Sequence, residues 1–225
     1  MSLSKVLEIA RGELGVTESP PNSNRVKYWT EWWPEMQGQP WCVGLQGWVF
    51  DKAGERMAFF GGGKTASCSI LLRWYREQGL TVPVSEVQVG DIVILNFHGT
   101  QDTEHCGLVT DVSYWSDGHR AIYTIEGNTS NGSGSQDNGG CVASKLRYEY
   151  QVVGVCRPQY QPEEPKPVDD WSNHHAAEAI RWGIEMGLIQ GYPDGSMRPD
   201  EQLPMWRMMT ILKRYDDYRF GGTRK

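Results

Sequence analysis

The strongest constraint on the fold is a proline-rich segment late in the chain. Residues 157–168 read RPQYQPEEPKPV, with four prolines among polar and charged residues. Such a segment favours extended, solvated backbone over a packed helix or strand. We therefore expect a first domain at residues 1–157, a linker at 158–168 and a second module at 169–225.

Composition excludes several classes of protein. The net charge of −6 gives no basic surface for nucleic acid or anionic lipid, so we expect no nucleic-acid partner. No apolar run approaches the length of a membrane span, and Lys5, Glu8 and Arg11 interrupt any signal-peptide core, which predicts a protein made in the cytoplasm without membrane insertion. Five cysteines leave pairing open by parity, but that compartment favours five free thiols.

The first domain changes character after Pro83. Before it, apolar spacing and capping residues predict helices at 3–14, from Cys42 to Gly54, and from Ser67 to Gly79. After it come the β-rich runs GDIVILNF, HCGLVTDVSYW, AIYTIEGN and YQVVGVC. Helices followed by strands predict an α+β domain with an antiparallel sheet.

The second module contains two helical patterns around a loop. The first apolar stripe comprises Ala176, Ala179, Ile180, Gly183 and Ile184, and the second includes Trp206, Met209, Ile211 and Leu212. Two helices of this size bury little apolar surface by themselves. We therefore expect the module to need partners.

Cys42, in the stretch GQPWCVGLQGW, is either a packed core residue or a nucleophile. It lies in or near the first turn of a predicted helix, where free N–H groups and the helix dipole favour a thiolate. A cysteine nucleophile also needs a base, usually a histidine held by a third polar group. His105 is the best placed of the five histidines, because it opens a predicted strand.

The strand AIYTIEGN supplies candidates for the third group. Side chains alternate along a strand, so Thr124, Glu126 and Asn128 should share one face. Glu126 could accept a hydrogen bond from His105, with Asn128 adding another. The alternative is a packed Cys42 and a solvated Glu126 at a strand end. We expect the other cysteines to be structural, with Cys106 facing away from His105 along the strand.

Four motifs in this order, PWCVGLQGWVFDKAG, VQVGDIVIL, HCGLVTDV and IEGNTS, resemble the CHAP family over about residues 1–157. These are the cysteine, histidine-dependent amidohydrolases/peptidases of peptidoglycan hydrolases and phage endolysins. The resemblance implies a papain-like fold in which Cys42 is the nucleophile, His105 the base, Glu126 the orienting carboxylate and Asn128 the supporting amide.

Further expectations concern groups around the nucleophile. The Cys42 N–H is a natural oxyanion donor; Gln37 or Gln39 could supply a second donor, or each could be an exposed loop amide. Trp41 is expected to shape the substrate groove, whereas Trp48 is expected to pack. Some family members bind calcium ahead of the cysteine, but the corresponding loop here lacks closely spaced carboxylates. We therefore expect no metal and no cofactor.

The segment AIRWGIEMGLIQGYPDGSMRPDEQL resembles the S-layer homology module, a helix followed by GYPDG and a second helix. The resemblance implies binding of secondary cell-wall polysaccharide, with candidate contacts at Asp170, Tyr192, Asp194 and Arg207. Where that family commonly has Thr-Arg-Ala-Glu, this chain has PMWR, and one copy is present instead of the usual three. A homotrimer that brings three copies together is the corresponding hypothesis.

Together these features predict a peptidoglycan hydrolase of the endolysin type, acting on the wall after the host membrane is breached. The cleaved bond is either that of an N-acetylmuramoyl-L-alanine amidase or that of a stem-peptide endopeptidase, since both reactions are acyl transfers at an amide. The alternatives are a non-catalytic wall-binding or virion structural protein on the same scaffold, and an intracellular cysteine peptidase.

Overall fold

The chain forms two compact units, Met1–Glu163 and Glu164–Lys225. The computed structural model describes residues 3–114, 119–132, 134–161, 171–192 and 196–220. The predicted linker lies largely outside the described residues.

The helices of the first unit precede its sheet, as the sequence predicts. In chain order they are α1 (Leu3–Gly12), α2 (Lys27–Trp32), α3 (Cys42–Lys52), α4 (Arg56–Phe60) and α5 (Cys68–Glu77). The Ser67 side chain caps α5 by accepting a hydrogen bond from the Ile70 N–H. The short helices α2 and α4 were not predicted.

The sheet of the first unit is antiparallel throughout its described part. Its strands are β1 (Thr81–Val82), β2 (Ile92–Leu95), β3 (His105–Tyr114), β4 (Arg120–Thr129), β5 (Cys141–Tyr148) and β6 (Val152–Cys156), in the spatial order β1-β6-β2-β3-β4-β5. This arrangement confirms the predicted α+β class with an antiparallel sheet. The papain-like topology stays an expectation from the resemblance.

The two faces of the sheet have different neighbours. The face towards the helices carries Ile92, Ile94, Cys106, Leu108 and Ile125. The other face carries a smaller cluster of Val93, Leu95, Val109, Ile122 and Val155. Because side chains alternate along each strand, consecutive residues of β3 pack in different clusters, one on each face of the sheet.

The helix that begins at Cys42 is buried on nearly all sides, from Cys42 to Phe50. Its glycines permit this packing: a Cβ on Gly44 would stand 2.6 Å from the Trp29 ring, and one on Gly47 would stand 2.0 Å from the Trp32 ring. Two tryptophans of α2 therefore lie directly on the α3 backbone. This contact fixes the position of the Cys42 helix relative to the rest of the core.

The first unit continues past residue 157. The Tyr160 ring stacks on Phe50 with centroids 5.6 Å apart, and its hydroxyl donates to the Gly90 carbonyl at 2.6 Å. The Gln161 N–H donates to the Glu55 carboxylate. The first residues of the predicted linker thus pack on the first unit. They do so because the Tyr160 ring binds an apolar site beside Phe50.

The second unit contains α6 (Ala177–Glu185) and α7 (Met205–Phe220). Its described part buries little: α7 has no buried residue, and α6 buries only Gly183. This agrees with the expectation that two helices of this length cannot make a core. Among the described residues of the whole chain, no helix has both the length and the apolar character needed to cross a bilayer.

Candidate functional site

Cys42 is the first residue of α3, so its sulfur lies at a helix amino terminus as predicted. No side chain caps this helix. The first N–H groups of a helix have no intrahelical acceptor, and together with the helix dipole they favour a negative charge there. The side chain is 5% exposed.

His105 and Glu126 meet in the interior of the sheet. His105 Nε2 lies 3.1 Å from Glu126 Oε2, and both side chains are fully buried. Neither ring nitrogen of His105 has a hydrogen bond of good angular geometry, so the contact is a close approach that becomes an ion pair when the imidazole is protonated. The predicted pairing of histidine and carboxylate is therefore present in space.

Glu126 also binds a residue that the sequence analysis did not single out. Arg147 on β5 donates from Nε to Glu126 Oε1 at 2.8 Å and from a terminal nitrogen to Oε2 at 2.5 Å. Burial opposes a charged carboxylate, but Arg147 and His105 more than offset it and lower the pKa of Glu126 to about 2. Glu126 is therefore a permanent anion beside the histidine, and not a solvated group at a strand end.

The protonation states of Cys42 and His105 are coupled. The pKa of Cys42 is lowered well below its usual value by the neighbouring Cys106 and Cys68 thiols, and the His105 imidazole lowers it further. Burial opposes a charged imidazole, but the adjacent Cys42 and Glu126 raise the pKa of His105 to about 9. Near neutral pH this favours a thiolate beside an imidazolium, the state in which a cysteine is nucleophilic.

Asn128 is not in the predicted arrangement. A bulge interrupts the pairing of β4 between Glu126 and Thr129, and Asn128 has a φ of 57°. Its side-chain nitrogen donates to the Asp137 carbonyl and to the Asn138 side chain. Thr124 and Glu126 do share a face, joined by a 2.6 Å hydrogen bond. Strand alternation predicted that pair correctly, but the bulge shifts the register at Asn128, so alternation does not fix the direction of that side chain.

Two residues proposed around the nucleophile have structural roles instead. The Gln37 side chain donates to the Val26 carbonyl and to the Thr30 hydroxyl, so its amide is occupied by the α2 region. Trp41 is fully buried and packs on Tyr28 at 5.5 Å, so it belongs to the core and does not shape a groove. Trp48 packs as expected, with its indole N–H donating to Glu31.

An open groove of about 380 Å³ is lined by residues other than Cys42, His105 and Glu126, namely Trp33, Met36, Gln39, Pro40, Lys64, Thr65, Ala66, Ser67 and Ile70. It includes the residues just before Trp41 and Cys42 and those just before Cys68. Gln39 is exposed and reaches this groove, consistent with either of its predicted roles. Trp33, and not Trp41, lines this groove.

The second unit brings two predicted wall-binding residues together. The Arg207 guanidinium lies 4.3 Å from the centre of the Tyr192 ring and donates to the Tyr192 hydroxyl. Arg198, not predicted, lies 3.9 Å from the same ring. All three line a pocket of about 470 Å³. Asp170 and Asp194 lie outside the described residues.

Comparison with known proteins identifies part of the chain. Residues 169–203 match the family model of the S-layer homology domain. This supports the predicted module and its association with the cell wall. No curated protein matches the chain significantly.

Proposed function

We propose that the first unit is a cysteine amidohydrolase or peptidase that cleaves an amide bond of peptidoglycan. The observations that carry the proposal are the fully buried His105–Glu126 pair, 3.1 Å apart, and the electrostatic interaction of His105 with Cys42, the first residue of a helix. A purely structural cysteine needs neither a lowered pKa nor a histidine paired with a buried carboxylate. The resemblance to the CHAP family supplies the substrate class.

In the proposed reaction, the Cys42 thiolate attacks the amide carbonyl, and the free N–H groups at the start of α3 stabilise the oxyanion. The protonated His105 gives its proton to the leaving amine, which departs. The neutral imidazole then takes a proton from water, and the resulting hydroxide releases the acyl group. Glu126, fixed by Arg147, keeps the imidazole oriented and stabilises its charged form.

The second unit is proposed to hold the enzyme on the wall through secondary cell-wall polysaccharide. Arg198 and Arg207 both lie against the Tyr192 ring, whose hydroxyl donates to Glu201, and this grouping of two guanidinium groups on an aromatic ring is suited to an anionic sugar polymer. Synthesis in the host cytoplasm with action after membrane breach belongs to the same proposal.

The decisive test of catalysis is Cys42→Ala in the full chain, assayed by the clearing of purified cell walls. We expect clearing to be lost while the circular dichroism spectrum is unchanged. Cys141→Ala, the same change on a half-buried thiol of β5, serves as the control and should clear walls normally. Undiminished clearing by Cys42→Ala would refute the enzyme and favour the non-catalytic wall-binding protein.

The bond cleaved is read from the products. Mass spectrometry of muropeptides released by the active chain distinguishes free stem peptides, expected from an amidase, from cut stem peptides, expected from an endopeptidase. Release of neither product from walls that the chain clears would exclude both specificities.

Wall binding is tested separately, with the inactive Cys42→Ala chain and purified walls. We expect Arg207→Ala in that background to weaken sedimentation with walls at least several-fold, because it removes the charge over Tyr192. Arg219→Ala changes an arginine in the last turn of α7, outside the pocket, and should bind normally. Equal binding by both variants, or undiminished binding to walls stripped of secondary polymer, would contradict the proposed contact.

We further propose that the second unit assembles as a homotrimer. Several large apolar side chains of α7 are exposed, including Met205 at 72%, Trp206 at 65% and Met209 at 55%. Contiguous exposed apolar surface on this scale is typical of an interface. Light scattering at micromolar concentration should give three times the chain mass, and a strictly monomeric mass would refute the trimer.

A further inference from the structure

Three of the five cysteines come together in the interior of the first unit. Cys42 begins α3, Cys68 begins α5 and Cys106 lies on β3 facing the helices, and their sulfur atoms all lie within 4.8 Å of one another. All three side chains are buried. Along the sequence, Cys42 and Cys68 are 26 positions apart and Cys68 and Cys106 are 38 positions apart, so the cluster does not form a short metal-binding motif.

The spacing of the sulfur atoms matches that of ligands on one metal ion. Cys42 Sγ and Cys68 Sγ are 3.8 Å apart. Two thiolates on a tetrahedral ion with metal–sulfur bonds of about 2.3 Å stand about 3.8 Å apart as well. The third sulfur needs to move by no more than about an ångström to complete the set, which is within a change of side-chain torsion.

We propose that Cys42, Cys68 and Cys106 form a binding site for a thiophilic cation of the Zn²⁺ type. Three thiolates and no carboxylate select a soft or borderline ion over Ca²⁺ or Mg²⁺. The sequence-based expectation was that the chain has no metal site, because it considered only an acidic calcium loop.

The surroundings suit such an ion. Two of the three sulfurs lie at helix amino termini, where free N–H groups and helix dipoles stabilise the negative charge of thiolates. Each thiol that is neutral before binding releases one proton to solvent when it ligates the ion. Three sulfur ligands leave the fourth tetrahedral position for a water molecule.

Metal binding and the proposed hydrolysis are mutually exclusive, because both use the Cys42 sulfur. This consequence rests on the proposed function, whereas the binding itself does not. An occupied site would keep the nucleophile inactive until a competing thiol or chelator removes the ion.

The binding test uses the full chain, reduced and free of metal, titrated anaerobically with Co²⁺. Tetrahedral cobalt thiolates have strong ligand-to-metal absorption in the near ultraviolet, which Zn²⁺ abolishes on displacement. We expect this absorption to saturate at one ion per chain. Absence of the band at stoichiometric Co²⁺ overturns the proposal, whatever the chain does to cell walls.

Variants assign the ligands. Cys68→Ala and Cys106→Ala, which leave the proposed nucleophile in place, should each weaken Zn²⁺ at least tenfold in competition with a chromophoric chelator. Cys141→Ala is the matched control and should bind like the original chain. Unchanged affinity in both cluster variants overturns the site. Zn²⁺ should also raise the melting temperature of the original chain but not of these variants, and a variant that has misfolded is recognised by the loss of its cooperative melting transition without metal.

A cobalt band together with undiminished wall clearing by Cys42→Ala would keep the metal site and refute the hydrolase. The reverse pattern would keep the hydrolase and refute the metal site.

Discussion

At the scale of single residues, the candidate site depends on a chain of charges that compensate one another. Arg147 holds Glu126 as an anion, Glu126 supports a protonated His105, and His105 supports the Cys42 thiolate. Each buried charge is tolerable because the next one faces it. The protonation state of Cys42 is therefore set partly by an arginine two strands away from the histidine.

For the proposed hydrolase, these pKa shifts predict how wall clearing should depend on pH. The pKa of Cys42 is lowered and that of His105 is raised to about 9, so the thiolate and imidazolium pair is lost as pH rises through about 9. We expect kcat/KM to fall on that alkaline limb, because the deprotonated imidazole cannot protonate the leaving amine.

Replacing the Glu126 carboxylate should shift the alkaline limb of the kcat/KM profile along the pH axis. In Glu126→Gln the anion that favours the charged imidazole is gone and Arg147 repels it, so the limb should shift to lower pH. Glu104→Gln removes a carboxylate paired with the exposed His98 and should leave the limb in place. Coincident pH profiles for Glu126→Gln and the original chain would show that Glu126 does not act on His105.

Arg147 should be important for stability. Arg147→Met leaves the buried Glu126 without its guanidinium partner and with His105 alone, and we expect a loss of about 3–5 kcal/mol in the free energy of unfolding, measured by urea titration. Arg73→Met, which breaks an exposed pair with Glu77, should change that free energy by less than about 0.5 kcal/mol. Similar losses from both changes would argue against a buried ion pair. Adding Glu126→Gln to Arg147→Met should restore part of the stability.

At the scale of secondary-structure elements, the packing of α2 on α3 determines where the nucleophile lies. Gly47→Ala would raise helix propensity, but its Cβ would overlap the Trp32 ring. We expect a net destabilisation of about 1–3 kcal/mol by thermal or urea unfolding.

The control for this prediction is Gly12→Ala at the end of α1, where an added Cβ meets nothing within 4 Å. This change should be neutral or slightly stabilising. A Gly47→Ala chain as stable as the Gly12→Ala chain would mean that α2 does not pack closely on α3.

The sequence predicted those elements whose local pattern agrees with their environment. Helical spacing, the Ser67 cap and alternating strands gave α1, α3, α5 and most of the sheet. Strand β5 was missed because its burial runs against residue type: Leu146 is exposed while Arg147 is buried. Alternating hydrophobicity cannot identify a strand in which an arginine side chain is buried and the neighbouring leucine is exposed.

Agreement between local sequence pattern and environment also explains which candidate site residues could be placed from the sequence. Cys42, His105 and Glu126 lie at a helix start and on regular strands, where periodicity fixes direction. Asn128 follows a bulge, and a bulge moves a side chain without leaving a clear pattern in the sequence. The third sulfur neighbour, Cys106, was correctly expected to face away from His105, but its approach to Cys42 depends on how helices and sheet pack together.

At the scale of the whole molecule, the two units differ in how they are stabilised. The first has a core shared by helices and both faces of a sheet, whereas the described part of the second leaves most of its apolar side chains exposed. Stability of the first unit should therefore be independent of chain concentration, while that of the second should increase with assembly.

Tyr160 marks where the first unit ends. Tyr160→Ala in the full chain removes the ring stacked on Phe50 and the hydrogen bond to Gly90. Because the ring is only partly buried, we expect a destabilisation of the first unit below the roughly 3–5 kcal/mol typical of a fully buried aromatic ring. Tyr150→Ala, on a ring that is 81% exposed, is the control and should have little effect. If both variants melt alike, residues 158–161 belong to the linker after all.

The burial of Cys42 also limits the rate at which a reagent or substrate can reach its sulfur. A sulfur that is 5% exposed meets a reagent or a substrate only when the residues around it move apart. Because a thiolate of lowered pKa reacts quickly once it is exposed, the rate of its alkylation at saturating reagent equals the rate at which the surrounding residues move apart. Under the proposed function, substrate would reach Cys42 through the same opening, so we expect kcat not to exceed the alkylation rate at saturating reagent.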